Sequence, residues 1–226
     1  MAPPDADERV AAIFHSTGLF ERLVSLMGFE NALCAFMFDP DECARFFDAM
    51  SEFKAAYAKK VIDAYHPDVY IYFDDVATAN SLFMSPEVYR TLIKPFEQRI
   101  VEAVTSRDVI FERHCCGHCD MLLPDWIEMG TTAWHSAQKM NDIAGDLDTY
   151  AGKMVIEGGW DSSGPASFIG ASEEMVREET RRCLTEYKKP GFIFCPVIMN
   201  ERGNSLLVGD DRLPAIEEEW RTYREF

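Results

Sequence analysis

Between Phe111 and Asp120 the chain reads Phe-Glu-Arg-His-Cys-Cys-Gly-His-Cys-Asp, at the end of an apolar run. In an extended segment residues two apart point the same way, so His114 and Cys116 present a nitrogen and a sulfur to one ion while Cys115 faces elsewhere. That pair suits zinc. A third ligand must come from another strand, and Cys195, closing Gly-Phe-Ile-Phe-Cys, ends the last apolar run. In a closed barrel both cysteines would stand at one rim. Three protein ligands leave a fourth position for substrate, and a thiol bound there is held as the reactive thiolate. His118 and Cys119 offer an alternative set with Cys115 or Cys116, or face solvent from a loop. Cys34, Cys43 and Cys183 fall on helix faces, where cysteine serves as a small apolar filler.

Other strand ends carry further polar groups. Asp74 and Asp75 are adjacent and point to opposite sides, so one reaches the rim as ligand, general base or substrate anchor and the other caps the next helix. Both are candidate catalytic residues, as is His135. Trp134, Gln138 and Asn141 follow one run and Glu157, Trp160 and Asp161 another, and these six are candidate substrate contacts. Gly158 and Gly159 let backbone approach a ligand closely, or simply make the turn.

From Asp68 onward a short apolar run alternates with a longer amphipathic stretch, the pattern of parallel strands and helices. Strands are predicted over Val69–Phe73, Val109–His114, Ala133–Ser136, Met154–Glu157 and Phe192–Cys195. Helices are predicted over Pro86–Thr105, Asp120–Met129, Asp142–Tyr150 and Ser172–Lys188. Ser85 before Pro86 is a helix start, and Gly130, Gly152 and Gly191 are helix stops. The first 66 residues read as helices only, Gly18–Met27, Glu30–Phe36 and Pro40–Tyr65. The whole is one domain, 1–226, with a helical segment over 1–66 and βα units over 67–226.

The alternation fits an α/β fold, either a (βα)8 TIM barrel or an open doubly wound sheet. No Gly-rich phosphate loop follows any strand, and reactive residues end several strands, which favours the barrel. Five βα units are visible where a barrel needs eight strands. The reading is therefore a barrel lacking its first strands, or one whose wall a partner supplies, a homo-oligomer included.

Acidic residues number 39 against 22 basic ones, a formal charge of −17, which disfavours nucleic acid and anionic membrane as partners. No apolar run is long enough to span a bilayer, and Met-Ala-Pro-Pro-Asp-Ala-Asp-Glu-Arg-Val lacks signal-peptide character, so a cytoplasmic location is expected. Seven cysteines, three of them within Cys115–Cys119, suit metal ligation better than a disulfide scaffold.

Several motifs resemble the uroporphyrinogen decarboxylase superfamily, and within it the zinc-dependent corrinoid-linked methyltransferases. They are Asp74-Asp75-Val-Ala with Met84-Ser-Pro-Glu-Val-Tyr89 and Lys94-Pro95, His114-Cys-Cys-Gly117, Leu123-Pro-Asp-Trp-Ile-Glu-Met-Gly130, Asn141-Asp-Ile and Gly158-Gly-Trp-Asp161. The resemblance implies a (βα)8 barrel with His114, Cys116 and Cys195 as zinc ligands. It further implies that zinc activates a thiol acceptor, which takes a methyl group from a methylated corrinoid (cobalamin) on a partner protein. Related members use methoxylated or methylated small-molecule donors, or pass the methyl group to tetrahydrofolate. Two alternatives stand beside this. A tetrapyrrole decarboxylase would need clustered arginines, and Arg113 is the only one in the rim strands. A non-catalytic truncated subunit of the same fold would pair with another chain.

Overall fold

A computed structural model describes residues 10–199 and 210–223. The chain divides after His135 into two compact units.

The first unit opens with β1 (Ala12–His15), followed by α1 (Leu19–Met27), α2 (Phe29–Phe38), α3 (Pro40–Tyr65) and β2 (Val69–Phe73). Then come α4 (Pro86–Val88), a π-helical turn over Tyr89–Ile93, α5 (Lys94–Thr105) and β3 (Ile110–His114). A 3-10 turn, Asp120–Leu122, leads into α6 (Leu123–Met129), and β4 (Ala133–Ala137) begins in this unit. The second unit holds the end of β4, then α7 (Ile143–Thr149), β5 (Val155–Gly159), a 3-10 turn over Pro165–Ser167, α8 (Glu173–Glu186), β6 (Phe192–Cys195) and α9 (Leu213–Tyr223).

In the first unit β1, β2, β3 and β4 pair in parallel and in chain order. The register puts Phe73 opposite His114 and His114 opposite His135, so one row at the carboxyl ends is wholly aromatic. In the second unit β5 pairs in parallel with β6, Gly159 opposite Cys195. Strand β2, Val-Tyr-Ile-Tyr-Phe, is buried on both faces as a parallel strand covered by helices must be.

The first segment is not helical throughout, because β1 precedes α1. Its four residues are too few to set a period, and Ala12 and Phe14 are exposed, so no apolar alternation marks it. Backbone pairing with β2 and the Ala11 N–H donated to Asp68 Oδ2 at 2.8 Å hold it. The helix predicted over Pro86–Thr105 is interrupted by the π turn. Pro95 has no N–H for the Thr91 carbonyl, and the Lys94 N–H reaches back five residues to the Tyr89 carbonyl. Helix α9 was not anticipated.

Helix starts follow the side chains. Ser85 Oγ accepts from Val88 N at 3.2 Å, Asp142 Oδ1 from Gly145 N at 3.1 Å and Ser172 Oγ from Met175 N at 3.3 Å. Between α5 and the sheet lies a buried polar network. The Arg113 guanidinium pairs with Glu97 at 2.6 Å, stands 5.5 Å from the Tyr72 ring centre and 5.2 Å from that of Trp126, and donates to the Asp74 carbonyl at 3.0 Å. Tyr89 OH donates to the second Glu97 oxygen and accepts from Trp126 Nε1. Arg113 is the residue before His114, so this network fixes the strand end that carries the candidate ligand.

Candidate metal centre and substrate cleft

The extended geometry of β3 delivers His114, and the chain then turns at Gly117. That glycine has φ +92°, and a Cβ there would lie 2.5 Å from the Thr78 carbonyl oxygen, so only glycine fits. The turn is tied down by His118 N donating to the same carbonyl at 2.7 Å. Cys116 is thereby folded back beside His114, with Sγ 3.4 Å from Nε2.

Asp75 joins them from the end of β2. Its Oδ1 accepts the Cys116 N–H at 2.7 Å and lies 3.7 Å from His114 Nε2. Nitrogen, sulfur and oxygen of Asp75, His114 and Cys116 all lie within 4.8 Å of one another, a spacing one cation can span. The His114 ring stacks on Phe73 with centroids 3.6 Å apart, and its Nδ1 is 2.6 Å from His135 Nδ1.

Burial sets the protonation states. His114 is pushed down to about 3 by burial first, then by His135 and Arg113, and His135 to about 4 by burial, so both rings are neutral near pH 7. The Cys116 thiol is pushed up by burial and then by the Asp75 charge. Without a cation it is a thiol, not a nucleophile.

Asp75 also lines a cleft of about 390 Å³ together with Phe20, Glu21, Val24, Phe29 and Phe83. Glu21 is held protonated to higher pH than usual by burial and then by Asp75. None of these apolar residues was singled out in the sequence, because no local pattern separates them from the other apolar residues of the chain. Glu21, three residues after Gly18, reads as a capping residue, and its Oε2 does accept from Gly18 N at 3.3 Å.

The two adjacent aspartates separate as alternation requires, but the one that caps a helix, Asp74, caps α1, far back in the chain, rather than the next one. Its carboxylate accepts from Phe20 N at 3.0 Å and Glu21 N at 2.9 Å, at the start of α1. Fully buried, Asp74 is pushed up to about 8, by desolvation first and then Glu97. Trp134 is also fully buried, its indole N–H donated to the Cys115 carbonyl at 3.1 Å. Cys119 is buried too and donates toward the Cys115 carbonyl, while the half-buried His118 lies 3.6 Å from Asp120.

The remaining predicted residues belong to the second unit. Glu157 accepts the Cys195 thiol hydrogen and is itself pushed up by burial. Gln138 Nε2 donates to Ser162 Oγ at 2.7 Å, and Asn141 Nδ2 donates to the Gln138 carbonyl at 2.9 Å. Trp160 is buried with its N–H on Ser167 Oγ at 2.8 Å, and Asp161 pairs with Lys139 at 3.2 Å. A Cβ on Gly158 would lie 2.3 Å from the Ala137 carbonyl oxygen, so its close approach is to the neighbouring backbone.

Residues 4–197 match the family model described as Uroporphyrinogen decarboxylase (URO-D), and the chain belongs to that family. Among curated proteins it is similar to a methylated-thiol--coenzyme M methyltransferase of Methanosarcina mazei, 28% identical over 169 residues. That alignment covers 71% of this chain and 41% of the relative. A solved structure of a methyltransferase from Methanosarcina mazei superposes with a TM-score of 0.70 at 18% identity, covering 92% of this chain and 57% of that one. The chain thus spans about half the length of the proteins it matches. The structural likeness shows the fold, an α/β arrangement of the TIM-barrel type. No described helix is long and apolar enough to cross a membrane.

Proposed function

We propose that this chain is a zinc-dependent methyltransferase that moves a methyl group between a methylcorrinoid (cobalamin) on a partner protein and a thiol acceptor. The observation that carries the reading is the convergence of His114 Nε2, Cys116 Sγ and Asp75 Oδ1 beside a cleft large enough for a small molecule. The relative named for methyl transfer between a methylated thiol and coenzyme M supports it.

The donors fit zinc. A neutral imidazole, a thiol whose ionisation waits for a cation, and a carboxylate form a borderline-soft set. His114, Cys116 and Cys195 are the proposed ligands, with Asp75 a further oxygen donor or the base nearest the ion. Zinc bound there would supply the Lewis acidity that keeps a substrate thiol ionised at neutral pH.

The protein's own residues do the rest. Neutral His114 must offer the Nε2 lone pair, so its proton sits on Nδ1 and is donated to His135 Nδ1; His135 is a positioning residue. Phe73 stacks flat on the ring and stops it turning. Glu157 is the acceptor at hand when the Cys195 thiol ionises. Arg113 is buried and paired with Glu97, so it is not free to hold substrate carboxylates, and the decarboxylase reading loses its only rim arginine.

The test is metal content of protein purified under reducing conditions, alongside His114→Ala, Cys116→Ser and Cys195→Ser. About one zinc per chain is expected, lost or weakened in all three, followed by methyl transfer from methylcobalamin to a thiol. A wild type that neither carries nor takes up zinc refutes the reading.

A further inference from the structure

The cleft beside Asp75 also says what kind of small molecule enters. Its aromatic part is Phe29 and Phe83, which are not buried, with the buried Phe20 packed against both. Phe20 and Phe83 are stacked at 5.7 Å, Phe29 meets Phe83 nearly at right angles at 4.9 Å, and Phe20 and Phe29 are 6.4 Å apart. The charged side chains lining it are Glu21 and Asp75, both acidic, and no lysine, arginine or histidine is among the lining residues.

Aromatic faces with carboxylates favour a cation, since the ring quadrupole is negative over its face. A primary ammonium or a guanidinium in such a place must surrender hydrogen bonds that phenyl rings cannot replace. A fully alkylated nitrogen or sulfur has none to lose, because its charge is spread over methyl groups that pack on rings. A neutral apolar ligand would satisfy the rings but gain nothing from the two acidic side chains.

We propose that this cleft binds a methylated onium group, a quaternary ammonium or sulfonium, carried by the small-molecule partner in the reaction. The assignment rests on the methyl-transfer reading above for its role, but binding itself does not require the metal. Asp75 serves both sites, so the onium methyls come to rest next to the His114–Cys116 pair.

The experiment is calorimetric titration of the full chain with choline and with 3,3-dimethylbutan-1-ol, the uncharged analogue in which carbon replaces nitrogen. Choline is expected to bind about tenfold more tightly than the alcohol. Phe29→Leu, at a half-exposed position the fold tolerates, and Glu21→Gln should each weaken choline about threefold without changing zinc content. Equal binding of the two probes, or binding of neither, overturns the proposal. A chain that takes up no zinc but prefers choline would refute the metal reading alone. One that holds zinc and ignores choline would refute the onium site alone.

Discussion

The Arg113–Glu97 pair offers the sharpest test of how the site is held. Arg113 is 1% and Glu97 1% exposed, and their charges meet at 2.6 Å. At an effective dielectric of about 20, unit charges at that distance attract by about 6 kcal/mol, most of it offset by the cost of burying them. Burial alone would push the Arg113 pKa down; Glu97, then Tyr89 and Asp74, outweigh it and hold the guanidinium charged. Removing one partner therefore strands the other. Glu97→Leu should cost about 3–5 kcal/mol, and Arg113→Met a similar amount. The double variant leaves no stranded charge. It loses the bonds from Arg113 to the Asp74 carbonyl and from Tyr89 to Glu97, about 1 kcal/mol each, together with packing and the Arg113 contacts with the Tyr72 and Trp126 rings. Urea unfolding of the four proteins closes the cycle, and a coupling of at least about 2 kcal/mol is expected. Additivity within about 0.5 kcal/mol would show that the pair is not a coupled buried unit and sink the argument that it braces His114.

Other consequences can be measured separately. Gly117→Ala should destabilise by about 2–3 kcal/mol and weaken zinc binding, since it adds a left-handed strain and a Cβ 2.5 Å from the Thr78 oxygen; unchanged affinity by metal titration would separate the turn from the site. His135→Ala should lower zinc affinity about 10- to 100-fold with little change in fold, and retention of full affinity would remove its positioning role. His15, pushed down from 6.5 to about 3 by burial first and Lys54 second, refuses a proton that the unfolded chain accepts in that window. Stability should therefore fall as pH drops from 6.5 toward 3, by up to about 1.4 kcal/mol per unit from this group. His15→Gln should flatten that slope, and parallel urea-midpoint curves for the two proteins would refute the assignment.

How much of this was legible depended on whether a local pattern stated it. Strands β2 to β6 announced themselves as apolar runs with polar ends, and Ser85, Asp142 and Ser172 marked helix starts by their own side chains. His114 and Cys116 were legible because period two is a local property. Strand β1 was not, since its pairing partner lies far along the chain and half of its side chains face out. Which of Asp74 and Asp75 caps a helix was left open, and the helix expected, the next one, was the wrong one for the same reason. Nothing in Phe-Asp-Asp-Val says that the acceptor of the α1 amides comes from beyond α3. The aromatic cleft was equally hidden, because Phe29 and Phe83 differ from core phenylalanines only in what they leave uncovered, and Phe20 is itself buried.

The chemistry at the site follows from one asymmetry between the two aspartates. Asp74 spends its carboxylate on two backbone amides and sinks into the core, where desolvation raises its pKa to about 8. Asp75, one residue on, keeps its carboxylate at the cleft and binds the Cys116 amide. That negative charge works against ionising Cys116, as burial does. Acid and thiol side by side are thus mutually unfavourable until a cation is shared between them. His114, held neutral and aimed by Phe73 and His135, is already in the form that such a cation requires. The arrangement that is costly for a bare thiolate is the one that a shared cation would relieve, which is the basis of the zinc site proposed above.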